Sequence, residues 1–169
     1  MENYLSKIDY NTIGNRCDIT PLFASHSDFN SLVNDIMKLI NGVHFDFVAC
    51  IDALGFILGT AIAQKLKANI LAVRKGGKLP VEVDKVNFVD YTKEHKTLEI
   101  RKDILLKGSR VLIVDEWIET GAQVLATISL IEKQGSIVSG IATINMDTNA
   151  NTKSISHGYK VFSVMQNCV

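Results

Sequence analysis

Asp115 and Glu116 stand side by side directly after Val111, Leu112, Ile113 and Val114, an apolar and mostly β-branched run. Such a run reads as a buried parallel strand, so the two carboxylates fall where that strand ends. Behind them comes a short loop, Glu119-Thr120-Gly121-Ala122-Gln123, and then apolar residues at helical spacing: Val124, Leu125, Ile128, Leu130 and Ile131. Carboxylates accept hydrogen bonds from vicinal hydroxyls, and the first amides of a helix can hold a phosphate. The stretch therefore has the parts of a sugar-phosphate site at the carboxyl end of a sheet, where open α/β folds bind their ligands. A carboxylate pair alone is as often a solvated turn; the loop and helix behind it favour a site. A second group, Arg74-Lys75-Gly76-Gly77-Lys78, follows another apolar run. On its own, a basic turn of this kind is more often solvated than ligand-bearing.

Positioning these residues takes a sheet with helices on it. Residues 1–26 show weak periodicity and are expected to form an N-terminal cover, with a turn at 16–21 because Pro21 biases Thr20 away from the helical region. From Ser27, a suitable N-cap, Phe29, Leu32, Val33, Ile36, Met37 and Ile40 share one helical face that ends at Asn41-Gly42. A buried strand over 45–51 runs into Asp52-Ala53-Leu54-Gly55, an apolar helix follows over about 56–66, and the next strand is 69–73. Strand, loop, helix and strand make a βαβ unit. Residues 79–96 are polar and broken, with β-favouring pieces such as 86–91, and read as a mobile functional loop. An edge strand over 97–102, a strand over 137–145 and a last strand over 160–164 complete the chain. The expected fold is α/β, a parallel sheet flanked by helices, as one domain over 1–169.

Composition narrows the function classes. The 169 residues are 47% hydrophobic, and 18 Lys+Arg balance 18 Asp+Glu, so the formal net charge is zero. That balance gives no support for nucleic-acid or membrane-surface binding. Cys17, Cys50 and Cys168 are an odd set without a close pair and read as free thiols in a reducing compartment. With no basic-then-apolar leader and no apolar run of about 18 residues, the expectation is a cytoplasmic protein.

In this order and spacing, several pieces resemble the purine phosphoribosyltransferases, most closely their adenine-specific members. DITPLF (18–23) is similar to that family's N-terminal motif, and IDALGFILG (51–59) stands where it has a pyrophosphate loop. VRKGGKLP (73–80) and TLEIRKD (97–103) are close matches, and VLIVDEWIETGAQ resembles the donor-binding motif, usually VDDLLATGGT. The resemblance implies transfer of ribose 5-phosphate from 5-phosphoribosyl pyrophosphate to a purine base, adenine or a relative, with release of pyrophosphate. It implies Mg2+ carried by the pyrophosphate and the ribose hydroxyls, with no direct protein ligands, and a homodimer. The partners implied are the donor and a nitrogenous base or the nucleotide product.

The same resemblance assigns roles. Asp115 and Glu116 would contact the ribose diol, and the amides of Thr120, Gly121, Ala122 and Gln123, behind Glu119, would hold the 5-phosphate. Asp52 and Leu54 belong to the pyrophosphate loop; Arg74, Lys75 and Lys78 would face the pyrophosphate, across a dimer interface. Residues 79–96 would be a hood that excludes water, and Glu94 a catalytic proton shuttle. Arg16 stands where the family places a stacking phenylalanine, and its guanidinium plane can itself stack on a base.

Ligand-facing positions also depart from the family pattern. Leu54 replaces an arginine, Glu119 a small apolar residue, Ala122 a glycine, Gln123 a threonine and Glu116 an aspartate. Arg16-Cys17 stands for Phe-Arg, and His95 for a frequent tyrosine. Losing one charge-assisted phosphate contact at Leu54 costs about 1.5–3 kcal/mol, or roughly one to two powers of ten in affinity. Two rival readings follow: a weakened, regulatory nucleotide-binding descendant, or an enzyme with an unusual acceptor. Trp117 reads as packing or interface, and His26, His44 and His157 as ordinary residues.

Overall fold

The computed structural model describes residues 4–13, 17–89 and 94–165; Arg16 and Cys168 lie outside them. A short 3-10 turn at Tyr4–Lys7 leads to α1 (Thr20–Phe23) and α2 (His26–Leu39). Then come β1 (Phe47–Ile51), α3 (Leu54–Leu66), β2 (Asn69–Lys75), β3 (Val83–Val89), β4 (His95–Arg101) and β5 (Arg110–Val114). The chain continues through β6 (Trp117–Ile118), α4 (Ala122–Lys133), β7 (Ile137–Thr143), β8 (Asn145–Met146), α5 (Ala150–Gly158) and β9 (Val161–Ser163).

Seven strands form one sheet in the order β3-β4-β2-β1-β5-β7-β9, and β6 and β8 pair separately. From β2 to β9 the pairing is parallel, as expected. The antiparallel pair β3–β4 is added at one side, and β4 meets β2 only at Arg74↔Glu99 and Lys75↔Leu98. The sheet is therefore mixed, and β3 rather than β4 is its edge.

Alternation along the parallel strands divides the core. Ala49, Ile51, Val111 and Ile113 face α4, packing with Val124, Ile128 and Ile131. Val48, Cys50, Leu112 and Val114 face the other way, onto Leu32 and Ile36 of α2 and Leu58 and Ile62 of α3. Burial on both faces explains why these strands read as continuous apolar runs. Gly59 lets α3 close on the sheet, since a Cβ there would lie 2.3 Å from the Cys50 sulfur. Burial pushes that thiol up to about 12, which makes it inert at neutral pH.

Several local expectations change. Ser25, not Ser27, caps α2, its hydroxyl accepting from the Asp28 amide at 3.4 Å. Thr20 is helical after all: Pro21 sits in the first turn of α1, where no amide is needed. Asp18 holds that turn, accepting from the Thr20 amide at 2.8 Å. The N-terminal cover is tied down by the reciprocal Asp9–Asp18 backbone pair and by buried Ile8, Ile19 and Leu22. Where a loop was expected from 79, β3 forms, because Val86 and Phe88 alternate onto the α4 side of the core.

Candidate active site

The carboxyl ends of β1, β2 and β5 converge on a cleft of about 890 Å³, closed on one side by the β3–β4 pair. Asp52 and Leu54 enter it after β1, Lys75 at the end of β2, and Asp115 and Glu116 after β5. Glu119, Thr120, Gly121 and Gln123 line it from the loop before α4. Four other expected residues are placed differently. Arg74 donates from Nε to Asp52 Oδ2 at 3.0 Å and lies 5.7 Å from the Phe56 ring centroid, off the lining. Lys78 and Ala122 are not in the lining either, and Glu94 is paired with Lys96 rather than turned into the cleft.

Asp115 is only 6% exposed, with its amide on the Ala142 carbonyl at 3.2 Å and its Oδ1 accepting from the Glu116 amide at 3.1 Å. The start of α3 abuts it: a Cβ on Gly55 would lie 2.9 Å from the Val114 carbonyl oxygen and 3.3 Å from Asp115 Oδ1. The carboxylate is thus held by backbone packing on two sides.

The loop before α4 turns at Gly121, whose φ of +76° is costly for any side chain. Gly121 is the N-cap and offers no capping side chain, so the helix start keeps amide donors for an anion. The Ala122 amide is taken up nearby, by Thr120 Oγ1 at 3.3 Å. α5 underlies this loop, a contribution not expected from the sequence. Asn149 Nδ2 donates to the Glu119 carbonyl at 2.7 Å, and Asn151 Nδ2 to the Thr120 carbonyl at 3.0 Å. A reciprocal capping box between Asn149 and Thr152 starts α5, and Asn-x-x-Thr was the available signal.

Glu99 is the second residue missed. Only 3% exposed, it accepts from the amides of Gly77 (2.9 Å), Lys78 (2.8 Å) and Leu79 (2.8 Å), fixing the whole basic loop. Burial pushes its carboxyl up, but the three amides and the charge of Arg74 outweigh this and hold it below the usual carboxylate range. Glu99→Gln, which turns a donor toward one of those amides, should cost about 2 kcal/mol in urea unfolding at pH 7. Because the folded-state value is depressed, the ionised group's contribution is complete above the ordinary carboxylate range and fades as pH falls through and below it. The wild-type advantage over Glu99→Gln should therefore shrink toward acid pH; an advantage that is flat with pH would mean that ionisation is not what holds the loop.

A smaller cavity of about 250 Å³ adjoins the cleft, with Thr12, Ile13, Cys17, Asp18 and Ile19 of the cover on one wall. Leu54, Glu116, Trp117 and Glu119 are common to both spaces. Among the described residues lining this cavity none is a cation. The Cys17 thiol is pushed up by burial and by the carboxylates of Asp147 and Glu119. Trp117, expected as packing, donates from Nε1 to Asp147 Oδ1 at 3.2 Å, which orients the indole on the shared wall.

The phosphoribosyl transferase domain model matches residues 24–167. An adenine phosphoribosyltransferase of Chlorobium luteolum is 41% identical over 153 residues, covering 87% of this chain and 85% of its own. One from a Thermoanaerobacter species is 36% identical over 151 residues, with 88% and 86% covered. The crystal structure of adenine phosphoribosyltransferase from Thermoanaerobacter pseudethanolicus superposes with a TM-score of 0.84 at 33% identity, covering 93% of this chain and 91% of that one. The Giardia lamblia enzyme complexed with 9-deazaadenine gives 0.85 at 26% identity, with 95% and 94% covered. The paired carboxylates, the glycine-capped helix start and the basic loop thus sit on a shared scaffold, and the chain belongs to the phosphoribosyl transferase family.

Proposed function

We propose that the protein transfers ribose 5-phosphate from 5-phosphoribosyl pyrophosphate to a purine base of the adenine type and releases pyrophosphate. The observation that carries this reading is the division of the site into two adjoining spaces. One is large, with lysines, paired carboxylates and a bare helix start; the other is small and, among its described lining residues, free of cations. The first suits an anionic sugar-phosphate donor and the second a neutral or amino-bearing base. Asp115 and Glu116 accept from the ribose hydroxyls, and the loop from Glu119 to Gln123 holds the 5-phosphate. A base nitrogen attacks C1 as the bond to pyrophosphate breaks, so the work is positioning and stabilising a developing cation. The proton lost by the base goes to a group on the β4 side. Glu94 would have to leave Lys96 to take it, whereas His95 already lines the cleft.

The donor set fits magnesium carried by substrate. Five carboxylates (Asp52, Glu99, Asp115, Glu116, Glu119) line the cleft against three lysines (Lys75, Lys85, Lys96), a poor match for a bare pyrophosphate. Mg2+ would supply the missing positive charge, and Asp115 and Glu116 would help to orient it by holding the ribose hydroxyls. We also infer a homodimer and a cytoplasmic location; no helix among the described residues is long and apolar enough to cross a membrane.

Pyrophosphate release with magnesium across a panel of bases tests the reading, and turnover with adenine is expected. Donor or nucleotide binding without turnover on any base would favour a regulatory role, which the engagement of both Arg74 and Lys75 with Asp52 would then explain. Leu54→Arg should lower the KM for the donor by roughly tenfold or more, since it adds a charge-assisted phosphate contact. An unchanged or higher KM would mean that the pocket has been rebuilt around leucine.

A further inference from the structure

We propose that Lys85 binds the pyrophosphate end of the donor, supplying from the β3–β4 arm the cation that Leu54 does not. This rests on the reading of the cleft as a phosphoribosyl donor site.

Register fixes where Lys85 points. In the antiparallel pairing Lys85 lies opposite Glu99, and Asn87 opposite Thr97. These four line the cleft, while the alternate residues Val86, Leu98 and Ile100 join the core below, and Phe88 packs on the core while also reaching the cleft. Asp84, the neighbour on the core side, is bonded to Lys133 at 2.6 Å and to Gln134 at 2.9 Å. With period-2 geometry, anchoring Asp84 and Val86 on one face commits Lys85 to the other.

The arm is seated against the basic loop. A Cβ on Gly76 would lie 2.9 Å from Thr97 Cβ, and Thr97 Oγ1 donates to Asn87 Oδ1 at 2.8 Å. Both oxygens of Glu99 are occupied by the amides of Gly77, Lys78 and Leu79, so the carboxylate opposite Lys85 is already taken.

The other lining lysines are engaged. Lys75 Nζ stands 4.0 Å from Asp52 Oδ1, and Lys96 is paired with Glu94. Among the described residues the Lys85 side chain makes no hydrogen bond or ion pair. It is an exposed ammonium on a fixed strand, facing an anion-sized space with no described carboxylate holding it back. A diphosphate, with several acceptor oxygens and multiple charges, is the ligand such a group takes.

The experiment compares Lys85→Met, Lys85→Arg and Lys160→Met with wild type. Lys160 is an exposed lysine beside the start of β9, away from the strand ends that carry the site, and controls for the loss of a charge. Initial rates of pyrophosphate release are measured against donor and against adenine, with calorimetric titration of inorganic pyrophosphate and magnesium alongside. Lys85→Met should raise the KM for donor roughly tenfold and weaken pyrophosphate binding in proportion, leaving the KM for adenine unchanged. Lys85→Arg should recover most of the loss, and Lys160→Met should match wild type. An unchanged donor KM in Lys85→Met, or an equal rise for adenine, overturns the assignment to Lys85 alone. A wild type that neither turns over nor takes up pyrophosphate overturns the donor-site reading, and Lys85 with it.

Discussion

Asp115→Asn should lower kcat/KM about a hundredfold while the fold stays intact. The two side chains have the same shape, and the asparagine would keep an oxygen for the Glu116 amide that Asp115 now accepts from at 3.1 Å. What it loses is charge. Asp115 is 6% exposed, where the surroundings screen a charge poorly, so in the role proposed above its attraction for a developing sugar cation would be stronger than in water. The lost charge-assisted contact contributes about 1.5–3 kcal/mol, and most of it acts in the transition state. Steady-state kinetics should show the loss chiefly in kcat, with an unchanged unfolding midpoint. A kcat/KM near wild type would place the ribose away from this carboxylate.

The second large effect is expected from Gly121→Ala. The φ of +76° disfavours any residue with a Cβ by about 1 kcal/mol, and the methyl would sit 2.9 Å from Ile155 Cδ1 and 3.3 Å from Asn151 Cβ and Thr152 Cγ2. Overpacking of this kind costs about 1–3 kcal/mol more, giving a total of about 2–4 kcal/mol in urea unfolding. Because Asn151 and Thr152 belong to the helix that underlies the loop proposed to hold the 5-phosphate, the same displacement should raise the donor KM. Adding Ile155→Val should recover part of the stability. Full stability in the single variant would show that α5 gives way more easily than its capping box implies.

The central strand, its carboxylates and the helix behind them were legible because each is encoded locally. A strand buried on both faces announces itself as Val111 to Val114 without reference to its neighbours, and the loop and helix follow within a dozen residues. What was hidden depended on partners distant in the chain. Glu99 reads as one charge among several in TLEIRKD; only the pairing of β4 with β2 brings it under Gly77, Lys78 and Leu79. Lys85 has no local mark, since its direction comes from the register of β3 on β4. α5 carries few apolar residues, and its best clue, Asn149 followed by Thr152, is only four residues long. At the start of α2 two serines compete within one turn, and the choice of Ser25 over Ser27 is made by backbone geometry.

The N-terminal cover has a consequence for specificity. Its described residues supply Thr12, Ile13, Cys17, Asp18 and Ile19 to the smaller cavity and nothing to the lining of the larger cleft, while the matched family domain begins at residue 24. On the reading proposed above, the choice of base would be set largely by this segment, and the handling of phosphoribosyl by the strands and loops that follow it. Leu54, Glu116, Trp117 and Glu119 line both spaces, so they are the described residues at which a change of acceptor would also be felt by the donor.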